Sequence, residues 1–271
     1  MPRRDDSRVS ARLSEPDSFI TPVPAVVLRC AMVSKRSISR VVFAMGLAVA
    51  GLIVATSGRA ETRVDLELLL AVDVSGSVDD DEYALQIYGL ARAFRDETVL
   101  AAIRRAGPRG IAVAVVQWSG GHQQVRAINW THLNSEGSLR RFSNRLLLMP
   151  RYLNDGDTWI ADAVRFSMKE IAHNGFYSPR QVIDVSGDGG VENLGLTAWA
   201  RDDAVAAGMV INGLAIETDV PDLRYFFRDN MIGGRGAFVM RAVGYEEFAD
   251  TMRRKLIREI GDRPLAGLQE R

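Results

Sequence analysis

Three oxygen-bearing side chains alternate in one short stretch of the sequence: Asp73, Ser75 and Ser77. They follow the predicted strand Leu66–Val72, whose apolar run Leu68–Val72 is typical of a strand buried on both faces of a parallel sheet. Ligands of open α/β folds bind just beyond the carboxyl ends of such strands, and Gly76 lets the loop turn tightly. Carboxylate and hydroxyl oxygens suit a hard divalent cation better than a soft one. The stretch therefore predicts a cation site at the end of the first strand.

Strands and helices alternate along most of the chain after residue 66. This alternation predicts an α/β fold with a doubly wound, mostly parallel six-stranded sheet and helices on both faces. The third strand, Gln123–Trp130, follows a glycine-containing turn and is predicted to be an antiparallel edge strand. We further expect one helix from Val78 to about Arg105, with Ser77 and Asp80 at its cap. The other predicted strands are Ile111–Trp118, Gln181–Val185, Met209–Ile216 and Ala237–Arg241.

Three loops of this pattern resemble the metal-ion-dependent adhesion site of von Willebrand factor type A domains. They are Asp73-Val74-Ser75-Gly76-Ser77, Gly156-Asp157-Thr158 and Gly187-Asp188-Gly189. The signature of that family is Asp-x-Ser-x-Ser after the first strand, a Thr in a later loop and Asp-Gly after the fourth strand. The chain looks most similar to the exported bacterial members, and the order of elements extends the resemblance over 66–260. One departure is that Ser186 and Gly187 precede Asp188, where the family usually has an apolar residue or Thr.

The resemblance implies a strand order and a ligand set. The sheet, of the von Willebrand factor type A (vWA) or Rossmann-like kind, would have the order 3-2-1-4-5-6. One divalent cation would lie at its carboxyl edge, with Mg²⁺ preferred and Mn²⁺ or Ca²⁺ as alternatives. The metal ligands, the two acids binding directly or through water, would be Asp73, Ser75, Ser77, Thr158 and Asp188. Asp184 is a rival for the last position, but we favour Asp188 because an acid within the strand would lie below the edge of the sheet.

A cation held by two acids and neutral hydroxyls would stay attractive to an incoming anion. Two carboxylates neutralise its charge formally, and Mg²⁺ keeps several water molecules in its octahedral shell. A Glu or Asp of a protein partner could then complete the shell in a charge-assisted contact. The sequence therefore predicts a cation-dependent, adhesion-type protein-binding module and not an enzyme.

Two other functions stay open at this point. A metal-assisted hydrolase would use the same cation to polarise an ester or phosphate, with Asp184 or Glu192 as its general base. A third possibility is a scaffold that keeps the fold without a metal. The chain has no Gly-x-Ser-x-Gly elbow, and surface or capping positions are the simpler interpretation of its three histidines, His122, His132 and His173.

Other acidic and aromatic residues also have simple interpretations. The acids at 79–81 are expected to begin a helix, with a second cation site as the alternative. Asp155 and Asp157 lack the remaining positions of a calcium loop. The four tryptophans are expected to pack in the core or at the sheet edge, although Trp159 could line the metal site: Trp118, Trp130, Trp159 and Trp199.

The first 60 residues predict a targeting segment. Lys35, Arg36 and Arg40 precede the apolar run Val41–Ala55, and small residues follow up to Ala60. A basic region, an apolar core and small residues are typical of a secretory signal peptide, here 32–60. We expect translation from Met32, cleavage near Ala60 and a periplasmic or secreted protein, with 1–31 as a non-native extension or disordered tail. An uncleaved membrane anchor is the alternative, but its apolar run is shorter than the roughly 20 residues of a spanning helix.

Residues 61–264 are predicted to form one domain, followed by a flexible tail at 265–271. Residues 1–60 hold nine of the 34 basic and four of the 34 acidic residues, so the remainder has an acidic excess of five. That balance argues against a nucleic-acid partner. The single cysteine, Cys30, lies in the segment expected to be removed, so a hydrophobic core and not a disulfide must stabilise the mature protein.

Overall fold

The computed structural model describes residues 61–189 and 194–261. Within them, six strands form the central sheet. The strands are β1 (Leu66–Asp73), β2 (Ile111–Trp118), β3 (Gln124–Leu133), β4 (Gln181–Gly187), β5 (Val210–Ile216) and β6 (Val239–Ala242). Each of them coincides with a predicted strand apart from small differences at the ends.

The strands lie in the order β3-β2-β1-β4-β5-β6. All neighbours are parallel except β2 and β3, which are antiparallel. This confirms the predicted order 3-2-1-4-5-6 with one antiparallel edge strand. The central strand β1 is buried along its whole length, as expected for a strand covered on both faces. A separate parallel pair of two-residue strands, Thr62–Arg63 and Phe176–Tyr177, is not predicted by the sequence pattern.

Helices cover both faces of the sheet and form two apolar layers. Leu68 and Leu70 of β1 contribute to one layer, whereas Leu69 and Ala71 contribute to the other, because successive side chains of a strand point to opposite faces. The first layer contains α1 (Asp80–Ala93), α2 (Glu97–Ala106), α3 (Glu136–Leu147) and α7 (Phe248–Gly261). The second contains α4 (Ile160–Ala172), α5 (Leu194–Ala206) and α6 (Leu223–Phe226), which a π-helical turn continues to Met231.

The predicted helix from Val78 to Arg105 is wrong, because the segment forms two helices, α1 and α2. The carboxylate of Asp96 accepts a hydrogen bond from the backbone N–H of Thr98 (2.8 Å) and caps the second helix. Just before it, the buried ring of Phe94 meets that of Phe142 edge to face, with 4.8 Å between centroids. A local cap and a packed ring therefore interrupt an apolar pattern that continues across both helices.

The cap of α1 also differs from the prediction. Asp79 is the N-cap, and its carboxylate accepts from the N–H of Glu82 (2.8 Å) while Glu82 accepts from the N–H of Asp79 (2.9 Å). These reciprocal bonds form a capping box. Ser77, which the pattern assigns to the cap, instead donates a hydrogen bond to Asp188. The expected helix start with an acidic cluster is confirmed, but Ser77 is left for the site.

The C-terminal helix has the apolar stripe that its spacing predicts. Its members are all buried: Tyr245, Phe248, Met252, Leu256 and Ile260. Trp118 lies in the core as expected, but Trp199 is 65% exposed, so the packing expectation is wrong for that residue. None of the helices in the described ranges has both the length and the apolar character needed to cross a bilayer. The predicted signal segment 32–60 and tail 265–271 lie outside the described residues.

Candidate metal centre

Three loops at the carboxyl edge of the sheet hold the predicted metal ligands. β1 ends at Asp73, and Asp188 directly follows β4, its parallel neighbour. Thr158 lies in the segment that leads into α4. That segment approaches the loop after β1, because the N–H of Gly76 donates to the carbonyl of Gly156 (2.9 Å). The topology therefore brings the three loops together.

Hydrogen bonds link all five predicted ligands. The N–H of Ser75 donates to Oδ1 of Asp73 at 2.8 Å, and the hydroxyl oxygens of Ser75 and Ser77 lie 3.2 Å apart. Ser77 Oγ donates to Oδ1 of Asp188 at 2.8 Å. The hydroxyl of Thr158 reaches Oγ of Ser75 at 3.4 Å. Two carboxylates and three hydroxyls, far apart in sequence, thus form one cluster.

Burial makes the two acids of this cluster unusual. The side chains of Asp73 and Asp188 are fully buried, and Oδ2 of Asp73 has no hydrogen-bond partner among the described residues. Burial, and next the charge of Asp188, raise the pKa of Asp73 to about 7. Burial also raises the pKa of Asp188, although hydrogen bonds from Ser77 and Tyr245 oppose the shift. A divalent cation between the two carboxylates would offset both charges, so the residues fit a hard metal ion.

The cluster has a solvent-facing side. Ser77 is exposed and Thr158 is partly exposed, whereas Asp73, Ser75 and Asp188 are buried beneath them. An ion held by these groups would be within reach of a second molecule. Elsewhere in the described ranges, no group of three or more His, Cys, Asp or Glu side chains offers an alternative centre.

Tyr245 is part of the site and was not predicted to be. Its hydroxyl donates to Oδ2 of Asp188 at 3.0 Å, and the residue is buried at the start of the turn that leads into α7. Burial and the neighbouring charge of Asp188 raise the pKa of Tyr245, which keeps it a donor. The apolar stripe predicts only that the ring of Tyr245 is buried. Nothing in the sequence indicates that its hydroxyl contacts Asp188.

Arg151 is a second participant that the sequence does not indicate. Its guanidinium donates to three backbone carbonyls of the loop after β1, those of Val74 (3.2 Å), Ser75 (3.2 Å) and Val78 (2.7 Å). It also forms an ion pair with Asp80 (3.1 Å) at the start of α1. These bonds hold the ligand loop from outside, and the positive charge opposes the rise in the pKa of Asp73.

Glycines flank Asp188 on both sides, and one of them, Gly187, belongs to the departure from the usual family sequence. A Cβ atom at Gly187 would lie 2.7 Å from Oδ2 of Asp73, and one at Gly189 would lie 2.5 Å from Oγ1 of Thr158. Real Cβ atoms do not come this close to another atom, so a side chain at either position would force the ligand side chains to shift. Glycine therefore lets β4 and its loop pass directly beside the ligands.

Asp184 lies outside the cluster. It is buried within β4, opposite Leu70, and forms an ion pair with Lys255 (2.5 Å). Its carboxylate is therefore held below the edge of the sheet. The alternative base Glu192 lies outside the described residues. The three histidines do not join the cluster; His122 is exposed near Asp162, and the other two contact backbone carbonyls of Arg109 and Lys169.

Replacing Arg151 by Ala is expected to weaken Mg²⁺ binding about tenfold or more while the sheet stays folded. Outer partners that orient ligands typically contribute 10–100-fold to metal affinity, and this substitution frees three carbonyls of the ligand loop. Titration calorimetry with Mg²⁺ measures the change. Arg140→Ala is the matched control, because that guanidinium forms an exposed ion pair with Glu136 (3.2 Å) in α3, away from the ligand loop. Wild-type affinity in Arg151→Ala would show that the loop does not depend on this residue.

The strand order is the one that the resemblance to von Willebrand factor type A domains implies, and solved structures support this fold. The proximal thread matrix protein 1 (PTMP1) of the mussel byssus superposes with a TM-score of 0.53 at 13% identity, covering 74% of this chain and 47% of that chain. The pilus adhesin SpaC of Lactobacillus rhamnosus GG, in its open conformation, gives 0.51 at 11% identity, covering 72% and 30%. A PTMP1 structure with a zinc-occupied MIDAS motif gives 0.50 at 12% identity, covering 74% and 47%. The chain thus spans half or less of these proteins, and at such identities the likeness concerns the fold.

The chain belongs to the family described as protein of unknown function (DUF1194), whose sequence model matches residues 63–264. A comparison with curated protein sequences gives no match. The matched range contains every candidate ligand, together with Arg151 and Tyr245.

Proposed function

We propose that this protein is a metal-dependent binding module that docks a carboxylate of a partner protein onto a divalent cation. The cation would be held by Asp73, Ser75, Ser77, Thr158 and Asp188, and Mg²⁺ is the preferred ion, with Mn²⁺ or Ca²⁺ as alternatives. The observation that carries the proposal is the buried Oδ2 of Asp73, which has no hydrogen-bond partner among the described residues and lies beside a second buried carboxylate.

The chemistry of the ligands favours docking. Hydroxyl oxygens add no negative charge, so the two acids alone would neutralise a divalent ion formally. When bound, such an ion would offer a partner's Asp or Glu a position for a charge-assisted contact. Ser77 is fixed by Asp188, and Arg151 fixes the loop that carries it, so the exposed side would be formed before a partner arrives.

The proposal includes export of the protein. The basic and apolar segment at 32–60 supports this location, with cleavage near Ala60 and a periplasmic or secreted product. The PTMP1 and SpaC structures support the adhesion-type function by analogy of fold, since one is described with a zinc-occupied MIDAS motif and the other as a pilus adhesin.

Partner capture from a cell-envelope extract tests the function. We expect immobilised protein to retain a partner in Mg²⁺ and to release it in EDTA, because the contact would need the cation as its bridge. Carbodiimide amidation of the extract, which blocks Asp and Glu carboxylates, is expected to prevent retention. Asp73→Asn removes one ligand and should lose the partner. Its matched control is Asp157→Asn, which removes an exposed acid beside Thr158 and should retain the partner.

Retention of the same partner in EDTA, or after amidation, would contradict docking through a carboxylate. Retention by Asp73→Asn but not by Asp157→Asn would mean that a different acid binds the ion. If the protein binds Mg²⁺ but retains the same partners with and without it, the cation would have a structural role instead.

A further inference from the structure

A cavity of about 610 Å³ opens at the end of the sheet opposite the metal centre. Val182 at the start of β4 and Val210 at the start of β5 line it, whereas the metal ligands follow the carboxyl ends of β1 and β4. Glu259 in the last turn of α7 and Phe238 before β6 complete its walls. The cavity is therefore separated from the predicted ligands by the length of the strands.

The walls of the cavity are mainly apolar. Their apolar side chains include those of Val182, Val205, Met209, Val210 and Phe238. Small-molecule sites in proteins typically enclose about 300–1,000 Å³ and combine such walls with a few fixed polar groups. The size and lining of this cavity fall within that description.

The polar groups at the back of the cavity are held rigidly. Oε1 of Glu259 accepts from Nδ2 of Asn212 (2.9 Å) and from Nζ of Lys255 (2.5 Å). Oδ1 of Asn212 accepts in turn from the N–H of Phe238 (3.0 Å). Lys255 also pairs with Asp184 (2.5 Å), and burial raises the pKa of Glu259 to about 8. These contacts fix the polar back wall of the cavity, and burial favours the neutral form of Glu259.

The solvent side of the cavity is cationic. Arg235 is exposed there, and within the described ranges its guanidinium has no ion-pair partner. Arg180 also lines the cavity, where it donates to the backbone carbonyls of Glu259 (2.7 Å) and Ile260 (3.3 Å). An anion at this opening would meet the guanidinium of Arg235, the kind of side chain best suited to carboxylate, sulfonate or phosphate oxygens.

We propose that this cavity binds a small organic anion with an apolar body, whose acidic group contacts Arg235 and whose body packs against Val210 and Phe238. The site is independent of the metal centre and of the docking function. An inorganic anion lacks the apolar body and would leave the walls uncovered. An apolar molecule without a charge would leave the Arg235 guanidinium unused.

Two fluorescent dyes with the same aromatic body test this assignment. 8-Anilinonaphthalene-1-sulfonate carries an anionic group, and N-phenyl-1-naphthylamine is its uncharged counterpart. Titrated into the full chain in EDTA, the sulfonate dye is expected to bind at one site per chain and more tightly than the neutral dye. Arg235→Gln is expected to weaken the sulfonate dye about three- to tenfold and to leave the neutral dye unchanged. Val210→Phe, which fills the cavity, is expected to weaken both dyes at least about tenfold.

Matched controls are Arg140→Gln for the charge and Val243→Phe for the added ring, since both positions are exposed and neither lines the cavity. Unchanged binding of both dyes in Val210→Phe would overturn the cavity as their site. Equal affinities for the two dyes, or a sulfonate affinity that Arg235→Gln does not change, would overturn the preference for an anion. Dye binding that Mg²⁺ or Asp73→Asn abolishes would assign it to the metal centre and overturn the proposal.

Discussion

Replacing Asp73 by Asn is expected to abolish Mg²⁺ and Mn²⁺ binding, with a loss of more than about 100-fold in affinity, while the sheet stays folded. The loss exceeds the 10–100-fold typical of outer partners, because the substitution removes one of only two carboxylates in the cluster. The amide oxygen can still accept from the N–H of Ser75, which Asp73 now does at 2.8 Å. Titration calorimetry measures the affinity. Thermal unfolding with and without Mg²⁺ checks it independently, since a bound ion raises the melting temperature.

Asp157→Asn and Ser75→Ala are the controls for this substitution. Asp157 is exposed beside Thr158, so its loss should leave affinity unchanged. Ser75→Ala should weaken binding less than Asp73→Asn, because water can replace one neutral ligand. Equal heats of Mg²⁺ binding in the wild type and in Asp73→Asn would contradict the assignment. If the wild type itself gains no stability from Mg²⁺, Mn²⁺ or Ca²⁺, the protein is a metal-free scaffold.

The same variant has a pH readout in EDTA. Burial and the charge of Asp188 raise the pKa of Asp73 from 3.8 to about 7, so ionisation of this group destabilises the metal-free folded state. A raised acid pKa means that the folded state binds the proton more tightly than the unfolded state does. The contribution of Asp73 to the free energy of unfolding is therefore lost as pH rises from about 4 to about 7. Asp73→Asn should lack this decrease in urea unfolding.

The part of the site that sequence predicts is the part that follows strand ends. Asp73 and Asp188 come directly after two apolar runs, and parallel strands bring their carboxyl ends to one edge. Arg151 could not be inferred in this way, because it acts through three backbone carbonyls of a loop 73 to 77 residues earlier. Tyr245 was equally hidden, since its ring belongs to an apolar helix stripe and only its hydroxyl reaches Asp188.

The fold has the same division between local pattern and tertiary contact. Strand positions follow from apolar runs, and the order of the six strands follows from the family resemblance. The break between α1 and α2 does not follow from the sequence pattern. The apolar spacing continues through the break, and the cap at Asp96 is a single side-chain contact. The N-cap of α1 is Asp79 and not the predicted Ser77 for a related reason. The hydroxyl of Ser77 donates to Asp188, which is far away in the sequence. Long-range polar contacts are thus what sequence spacing leaves out.

Replacing Lys255 by Met is expected to destabilise the protein by about 3–5 kcal/mol, the usual cost of removing one partner from a buried ion pair. The Lys255 side chain is fully buried, and its ammonium lies 2.5 Å from carboxylate oxygens of both Asp184 and Glu259. Without it, two buried acids face each other with no positive charge between them. Urea unfolding at pH 8 measures the loss. The loss should grow above about pH 8, because Lys255 lowers the pKa of Glu259, so without Lys255 the folded state continues to lose stability as pH rises.

A double variant separates charge from packing. Lys255→Met combined with Glu259→Gln removes one positive and one acidic group, and the new amide can donate to Asp184. The double variant should therefore recover part of the stability that Lys255→Met loses, whereas a pure packing defect would give additive losses. Arg258→Met, an exposed substitution in the same helix, serves as the surface comparison. The Cζ atom of Arg258 lies 3.8 Å from the centroid of the Phe238 ring. A loss below about 1 kcal/mol in Lys255→Met would mean that water or rearrangement compensates the two acids. Lys255, Asp184 and Glu259 would then not determine how α7 packs against β4.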